Sequence, residues 1–462
     1  MNIWRFFFTS VLFFALPWAI SAQWIKQNVE TKASFRGLSV VSEKIVWASG
    51  TGGTVIKTLD GGKTWKINTV SGAEKLDFRD IEAFDANTAY ILSIGNGESS
   101  RIYKTTDGGA NWKLQFKNTN EKAFFDAIAC WDRNNCIAMS DPVDNKFVLI
   151  STKDGGQSWN PIDTTKMPPT KDGEAAFAAS GTCLITQGKS NAFLVTGGTA
   201  ARVFRSTDRG MSWSVSDTPI VHGTAGSGIF SIAMNGKNGV IVGGNYESPD
   251  QRFNTFAMTH DGGSTWQLGA ALNGYRSGAV YLDRETVLAV GTSGADASYS
   301  RCLPWENLGS DNLNAVAAKG KNAVWAVGPR GNVALLKPTA ISNASKVDPK
   351  SFDGGDLPPS VTVLNLSHVE ISSNCAPSDT RCSSKRRISV LTTAVAPEAS
   401  SFEYAYTVSA GKIIGDGAHV EWDLSNVPPG KHFITAGINM PYLRCMAWGA
   451  LGKTQTQEIL IK

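Results

Sequence analysis

Three arginines and three carboxylates in this chain are of types and positions that could do chemistry. Arg36, Arg79 and Arg276 fall at or near the starts of apolar strand-forming segments, as does Asp126, while Asp141 and Glu174 follow or precede such segments. A guanidinium presents a fixed fork of donors, so several at one place would bind a carboxylate, a sulfate or an acidic peptide. Two facing carboxyls would instead suit glycoside hydrolysis, with their separation deciding retention or inversion. Ser180, Tyr246, Tyr275 and Ser277 add neutral polar groups, and Arg276, between Tyr275 and Ser277, ranks first as an anchor. The competing reading pairs Arg79 with Asp77 or Asp80 and satisfies Arg36 and Arg276 with local carboxylates or carbonyls.

What must position these residues is a repeat. An eight-residue phrase occurs five times: Thr58 to Trp65, Thr105 to Trp112, Thr152 to Trp159, Ser206 to Trp213 and Thr259 to Trp266. Each copy has Ser or Thr two before an Asp (Asp60, Asp107, Asp154, Asp208, Asp261), Gly two after it and Trp five after it (Trp65, Trp112, Trp159, Trp213, Trp266). The Trp-to-Trp steps of 47, 47, 54 and 53 residues match a four-stranded propeller blade. Asp and Gly write a tight turn, and the Trp opens the outer strand, where its ring can fill the wedge between blades. Five carboxylates at one repeat position are expected to serve folding, not catalysis.

A second repeated element, an apolar strand ending in Gly or a small residue, occurs seven times, from Ile45–Gly50 to Ala323–Gly328. The sixth unit keeps only Trp305, and the seventh stops after Asn332–Lys337 with no fourth strand. Gln23–Gln27 reads like the missing Trp-led outer strand. A circular array hides its edges by closing the last blade with the first strand. The expected fold is therefore all-β, a seven-bladed propeller over residues 23–337. The starts of the innermost strands and the second-to-third loops then share one face, the upper channel mouth, and the repeated turns lie on the other.

The repeated phrase resembles the Asp-box, or bacterial neuraminidase repeat. The propeller resembles bacterial proteins related to the photosystem II stability/assembly factor family. Further segments that carry the likeness are Ser140–Asp144, Glu174–Thr182, Gly228–Ser231, Gly243–Tyr246 and Gly274–Gly278. The family pattern has Asp where this chain has Asn245. Proteins of this group often carry hydrolase or oxidoreductase labels, but fold similarity alone establishes neither activity. The expected function is a noncatalytic binding or assembly scaffold for a protein or glycan. Asp-boxes also occur in sialidases, but Phe35-Arg36-Gly37 and Phe78-Arg79-Asp80 lack the Ile-Pro that follows Arg in that family. A glycosidase using Asp126, Asp141 or Glu174 stands as the alternative, and no residue is assigned a catalytic role. An oxidoreductase finds no dinucleotide or haem motif, and neither a cofactor nor a metal is expected.

Asn2–Arg5, Phe6–Leu16 and Ile20-Ser21-Ala22 have the order of a secretory signal over residues 1–22, so export to the periplasm or outside the cell is expected. The seven cysteines fit that route: Cys130 with Cys136, and Cys375 with Cys382, are candidate disulfides. A net charge of +4 without a basic stripe argues against nucleic acid, and no later apolar run suggests a transmembrane anchor. A monomer is expected. Residues 338–361 read as a linker, and 362–462 as a β-sandwich resembling bacterial immunoglobulin-like (PKD-like) modules, with Trp422 in its core.

Overall fold

The computed structural model describes residues 23–299, 305–342, 360–366, 387–395, 403–425, 427–439 and 455–461. Residues 1–22, where a signal was expected, Cys375, Cys382 and most of 338–361 lie outside them. The fold is all-β, a seven-bladed propeller followed by a small β-sandwich. Blade one shows the unit: Phe35–Val40, Val46–Gly50, Thr54–Thr58 and Lys66–Thr69 form one antiparallel sheet in chain order. The other innermost strands are Phe78–Ala83, Phe125–Cys130, Leu184–Gln187, Ser227–Asn235, Gly278–Tyr281 and Ala315–Ala318.

The ring closes through the first strand. Trp24–Lys26 pairs antiparallel with Val333–Leu336, Trp24 opposite Leu336, and becomes the outer strand of blade seven. Trp24 is buried in one hydrophobic cluster with Leu282, Leu288 and Leu336. The chain thus covers an edge that would otherwise offer unpaired backbone groups.

Each of the five repeated turns, the Asp-box candidates, is built alike. Thr58 Oγ1 accepts the Gly62 N–H at 2.9 Å and donates to Asp60 Oδ1, which accepts the Thr64 N–H at 2.9 Å. The same three bonds recur around Asp107, Asp154, Asp208 and Asp261. The second box glycine needs both its positive φ and its missing side chain. At Gly156, with φ 84°, a Cβ would stand 2.9 Å from the Tyr90 ring of the preceding blade.

Aromatic contacts cross the blade junctions: the box residues Trp65, Trp112 and Trp159 pack against Trp325, Trp47 and Tyr90, and Trp305 of the sixth unit against Phe256. Nearer the channel, polar ties join every pair of neighbouring blades. Ser39 Oγ accepts the Ala83 N–H, Asp80 accepts that of Ile128, and Thr186 Oγ1 donates to Cys130 O. Thr182 bonds Ser231, which accepts the Ala279 N–H. Ser277 donates to Asn314 O, and Asn314 to Phe35 O.

Cys130 and Cys136 face each other across the first hairpin of blade three and are disulfide-bonded. Cys183 is a buried free thiol. The sandwich pairs a sheet of Ser360–Leu366, Arg387–Val395, His419–Asp423 and Lys412–Ile414 with one of Glu403–Val408, Gly430–Asn439 and Gln455–Ile461. Trp422 is fully buried between them. Among the described residues, no helix is long and apolar enough to cross a membrane.

Candidate functional site

The upper mouth of the channel is crossed by a strap. Between blades three and four, residues 174–183 run over the mouth before entering the innermost strand of blade four. Only Glu174–Ala175 pairs as strand, with Gly197–Gly198. The root is held by charge: Glu174, buried, accepts from Arg202 Nε at 2.9 Å, Thr196 Oγ1 at 2.6 Å and the Lys171 N–H. Beyond it, Asp141 Oδ1 accepts the Ala176 N–H at 2.8 Å.

Two arginines reach the strap from blades one and two. Arg36 Nη1 donates to the Ala179 carbonyl at 2.9 Å, and Arg79 Nη1 to that of Ala178 at 3.2 Å. Arg79 also pairs with Asp77 at 2.8 Å. Arg36 has no ion pair among the described residues. Burial is the main cause lowering its pKa, and the neighbouring charge of Arg79 adds to the shift. Ser180 Oγ donates to Ser277 O of blade six at 2.7 Å. Phe177 stacks on Phe230 with ring centroids 3.9 Å apart, and the half-exposed Tyr246 stands edge-on to both.

Beneath the strap lie three carboxyls, Asp80 and Asp126 buried and Asp141 partly so. Asp126 is raised well above the ordinary carboxylate range by burial and by Asp141, and its Oδ2 lacks a hydrogen-bond partner. Burial raises Asp141 to about 6. It raises Asp80 to about 7, against the N–H groups of Ile128 and Ile81 that favour its charged form.

The structure brings Arg36, Arg79, Asp126, Asp141, Ser180 and Tyr246 to the mouth or directly under it. It corrects the expectation for Arg276. That side chain is fully buried, 2.7 Å from the equally buried Asp296, and also donates to Tyr275 O and Ser293 Oγ. Full burial and the pairing with Asp296 keep its guanidinium from a ligand at the mouth. Tyr275 and Ser277 are likewise buried, and Glu174 is committed to Arg202.

Asp296, Arg202 and the strap are the parts that sequence reading missed. A lone Asp in the run Gly294-Ala295-Asp296-Ala297-Ser298 was the available signal, since an unpaired carboxylate in such a strand would be costly to bury. A cavity of about 1150 Å³ opens elsewhere, between blade-five residues such as His222 and Trp266 and the sandwich residues Lys431 and Phe433. Neither Arg36 nor Arg79 lines it.

Among solved structures, the chain is similar to YCF48 from Cyanidioschyzon merolae, at 16% sequence identity over 69% of this chain and 100% of that one, with a TM-score of 0.52. It is similar also to YCF48 bound to D1 peptide, at 14% identity over 68% and 95% of the two chains, with a TM-score of 0.51. The likeness is one of fold. No family model matches the sequence, and no curated protein matches it.

Proposed function

We propose that this chain is an exported, noncatalytic propeller that binds a protein segment at its upper mouth, with Arg36 and Arg79 as the anion-recognising pair. The observation that carries the reading is the imbalance of charge at the strap. Between two neighbouring guanidiniums there is one ion pair, that of Arg79 with Asp77, and their other hydrogen bonds there go to neutral carbonyls. A ligand carboxylate would exchange a neutral acceptor for a charged one, which strengthens the bond. A YCF48 structure containing a D1 peptide provides a precedent for peptide binding on this fold. The boxes, on the opposite face, serve folding in this reading. Residues 1–22 act as the signal, 23–337 form the binding module, and 362–462 form an immunoglobulin-like appendage joined by the linker.

The glycosidase alternative is not favoured. Asp126 and Asp141 lie beneath the closed strap, and Glu174 is held in an ion pair with Arg202.

The test is a titration with an acidic probe peptide, poly-glutamate of ten residues, and its amidated glutamine counterpart. Arg36→Ala or Arg79→Ala should weaken binding of the acidic probe by about 1.5–3 kcal/mol, the scale of a hydrogen bond to a charged group. Arg36→Lys should recover part of it, because an ammonium lacks the planar fork. Equal binding of both probes, or no loss in either alanine variant, would contradict the assignment.

A further inference from the structure

The strap meets the mouth as a bound peptide would. Its carbonyls at Ala178 and Ala179 accept from the two arginines, Phe177 fills an aromatic slot on Phe230, and the Ser180 hydroxyl donates to Ser277 O. Ala178 and Ala179 are buried at 8% and 5% exposure, so larger side chains would not fit at those two places. Main-chain contacts set position without regard to sequence, whereas the ring slot, the two tight places and the hydroxyl site discriminate between side chains.

Little backbone bonding fixes this segment. Past Ala175 it belongs to no strand, and the Ala179 N–H turns back on Phe177 O. The Phe177 ring is only partly buried.

We propose that the strap is an internal copy of the ligand, and that the mouth recognises a peptide that turns as the strap does and reads aromatic, small, small, Ser or Thr. Such a peptide takes the places of Phe177, Ala178, Ala179 and Ser180 when the strap swings aside on its Glu174–Arg202 root. This rests on the mouth being the binding site and adds the sequence the site selects. A tethered competitor lowers apparent affinity in proportion to the fraction of molecules with an open mouth. Weakening the strap therefore strengthens binding in trans.

The experiment uses a fluorescent, end-capped peptide copying residues 174–182, Glu-Ala-Ala-Phe-Ala-Ala-Ser-Gly-Thr. It is titrated into the full chain, into Phe177→Ala, and into a variant with residues 176–180 replaced by Gly and Ser. Both altered chains should bind about tenfold more tightly than the unaltered one, a change of about 1.4 kcal/mol. Adding Arg36→Ala should remove that gain, and a peptide with Ala in place of its Phe should not bind. Should the replaced strap prevent folding, Phe177→Ala decides alone, since it removes one partly exposed ring. Equal affinity for Phe177→Ala and the unaltered chain, or for the peptide with and without Phe, overturns the proposal. If poly-glutamate binds and the strap peptide does not, the copy is refuted and recognition at the mouth stands. If neither binds any of the chains, both readings fall.

Discussion

Trp112 stands edge-on to Trp47, their ring centroids 6.3 Å apart and their planes at 86°, so the box of blade two closes over the second strand of blade one. Trp47 is buried, donates its indole N–H to Asp85 O at 3.1 Å, and carries the Lys57 ammonium 4.4 Å from its ring. One ring therefore joins two blades by packing, hydrogen bonding and a cation–π contact. Trp47→Ala should lower unfolding free energy by about 3–5 kcal/mol, the scale for emptying a large aromatic site. Urea denaturation of the variant beside the unaltered chain measures it.

The box hydroxyl offers a finer test of the turn. Thr105 is buried, and its Oγ1 takes the N–H of Gly109 at 2.9 Å. Thr105→Val keeps the shape and removes that acceptor, which should cost about 1–3 kcal/mol for the stranded N–H. Binding of an acidic peptide at the opposite face should be unchanged at temperatures where the variant is folded. Lost binding with unaltered stability would place the boxes in the site.

Arg276 and Asp296 form a structural pair, and the expected outcome of Arg276→Ala follows from that. The substitution strands a buried carboxylate with Asn273 as its remaining side-chain partner, so stability should fall by about 3–5 kcal/mol. Affinity for the acidic probe should stay within twofold in the folded fraction. Replacing both residues by apolar ones of similar volume should recover most of the stability. A double-mutant cycle in urea checks it.

The N-terminal strand supplies the outer edge of blade seven. Deleting residues 23–28 uncovers Val333–Leu336, removes the buried Trp24, and should sharply reduce soluble yield. Soluble, cooperatively unfolding protein after the deletion would show that the ring closes without it.

The propeller was legible because its signals are local. Asp-Gly-Gly-x-x-Trp writes a turn and its packing ring in six residues, and the Trp of Gln23–Gln27 betrays a strand without a blade. The paired cysteines stand six residues apart across one hairpin. The mouth was legible only as a set of strand starts. Register around the ring decides which of those side chains reach the channel, and Arg276 illustrates this. Arg36 and Arg79 are the second residues of their innermost strands, whereas Arg276 lies two residues before Gly278–Tyr281 and pairs with Asp296, two strands further along blade six. The strap lacked any repeat signature, since it replaces the regular blade pattern between Trp159 and Leu184. Strands Lys412–Ile414 and Gln455–Ile461 of the sandwich were also not foreseen, one being short and the other polar over its first four residues.

The buried carboxyls give stability a pH dependence whose sign is fixed by burial. Asp80 is raised to about 7 and Asp141 to about 6 from an ordinary 3.8, so the folded chain holds protons that the unfolded chain has released. Stability from these two groups is therefore full below about pH 4 and is lost as pH rises to about 7. The box carboxylates act oppositely. Asp60, Asp107 and Asp154 are lowered to about 2 by hydrogen bonds from the residue four places on. Their contribution is present above about pH 4 and is lost as pH falls toward 2. The melting temperature should thus be highest near about pH 4–5 and decline toward neutrality. Asp141→Asn keeps an acceptor for the Ala176 N–H but does not titrate, so it should flatten the decline between about pH 4 and 6. Calorimetric scans of both proteins across that range decide it. A melting temperature rising steadily from about pH 4 to 8 would mean that the carboxyls under the strap are solvated and charged.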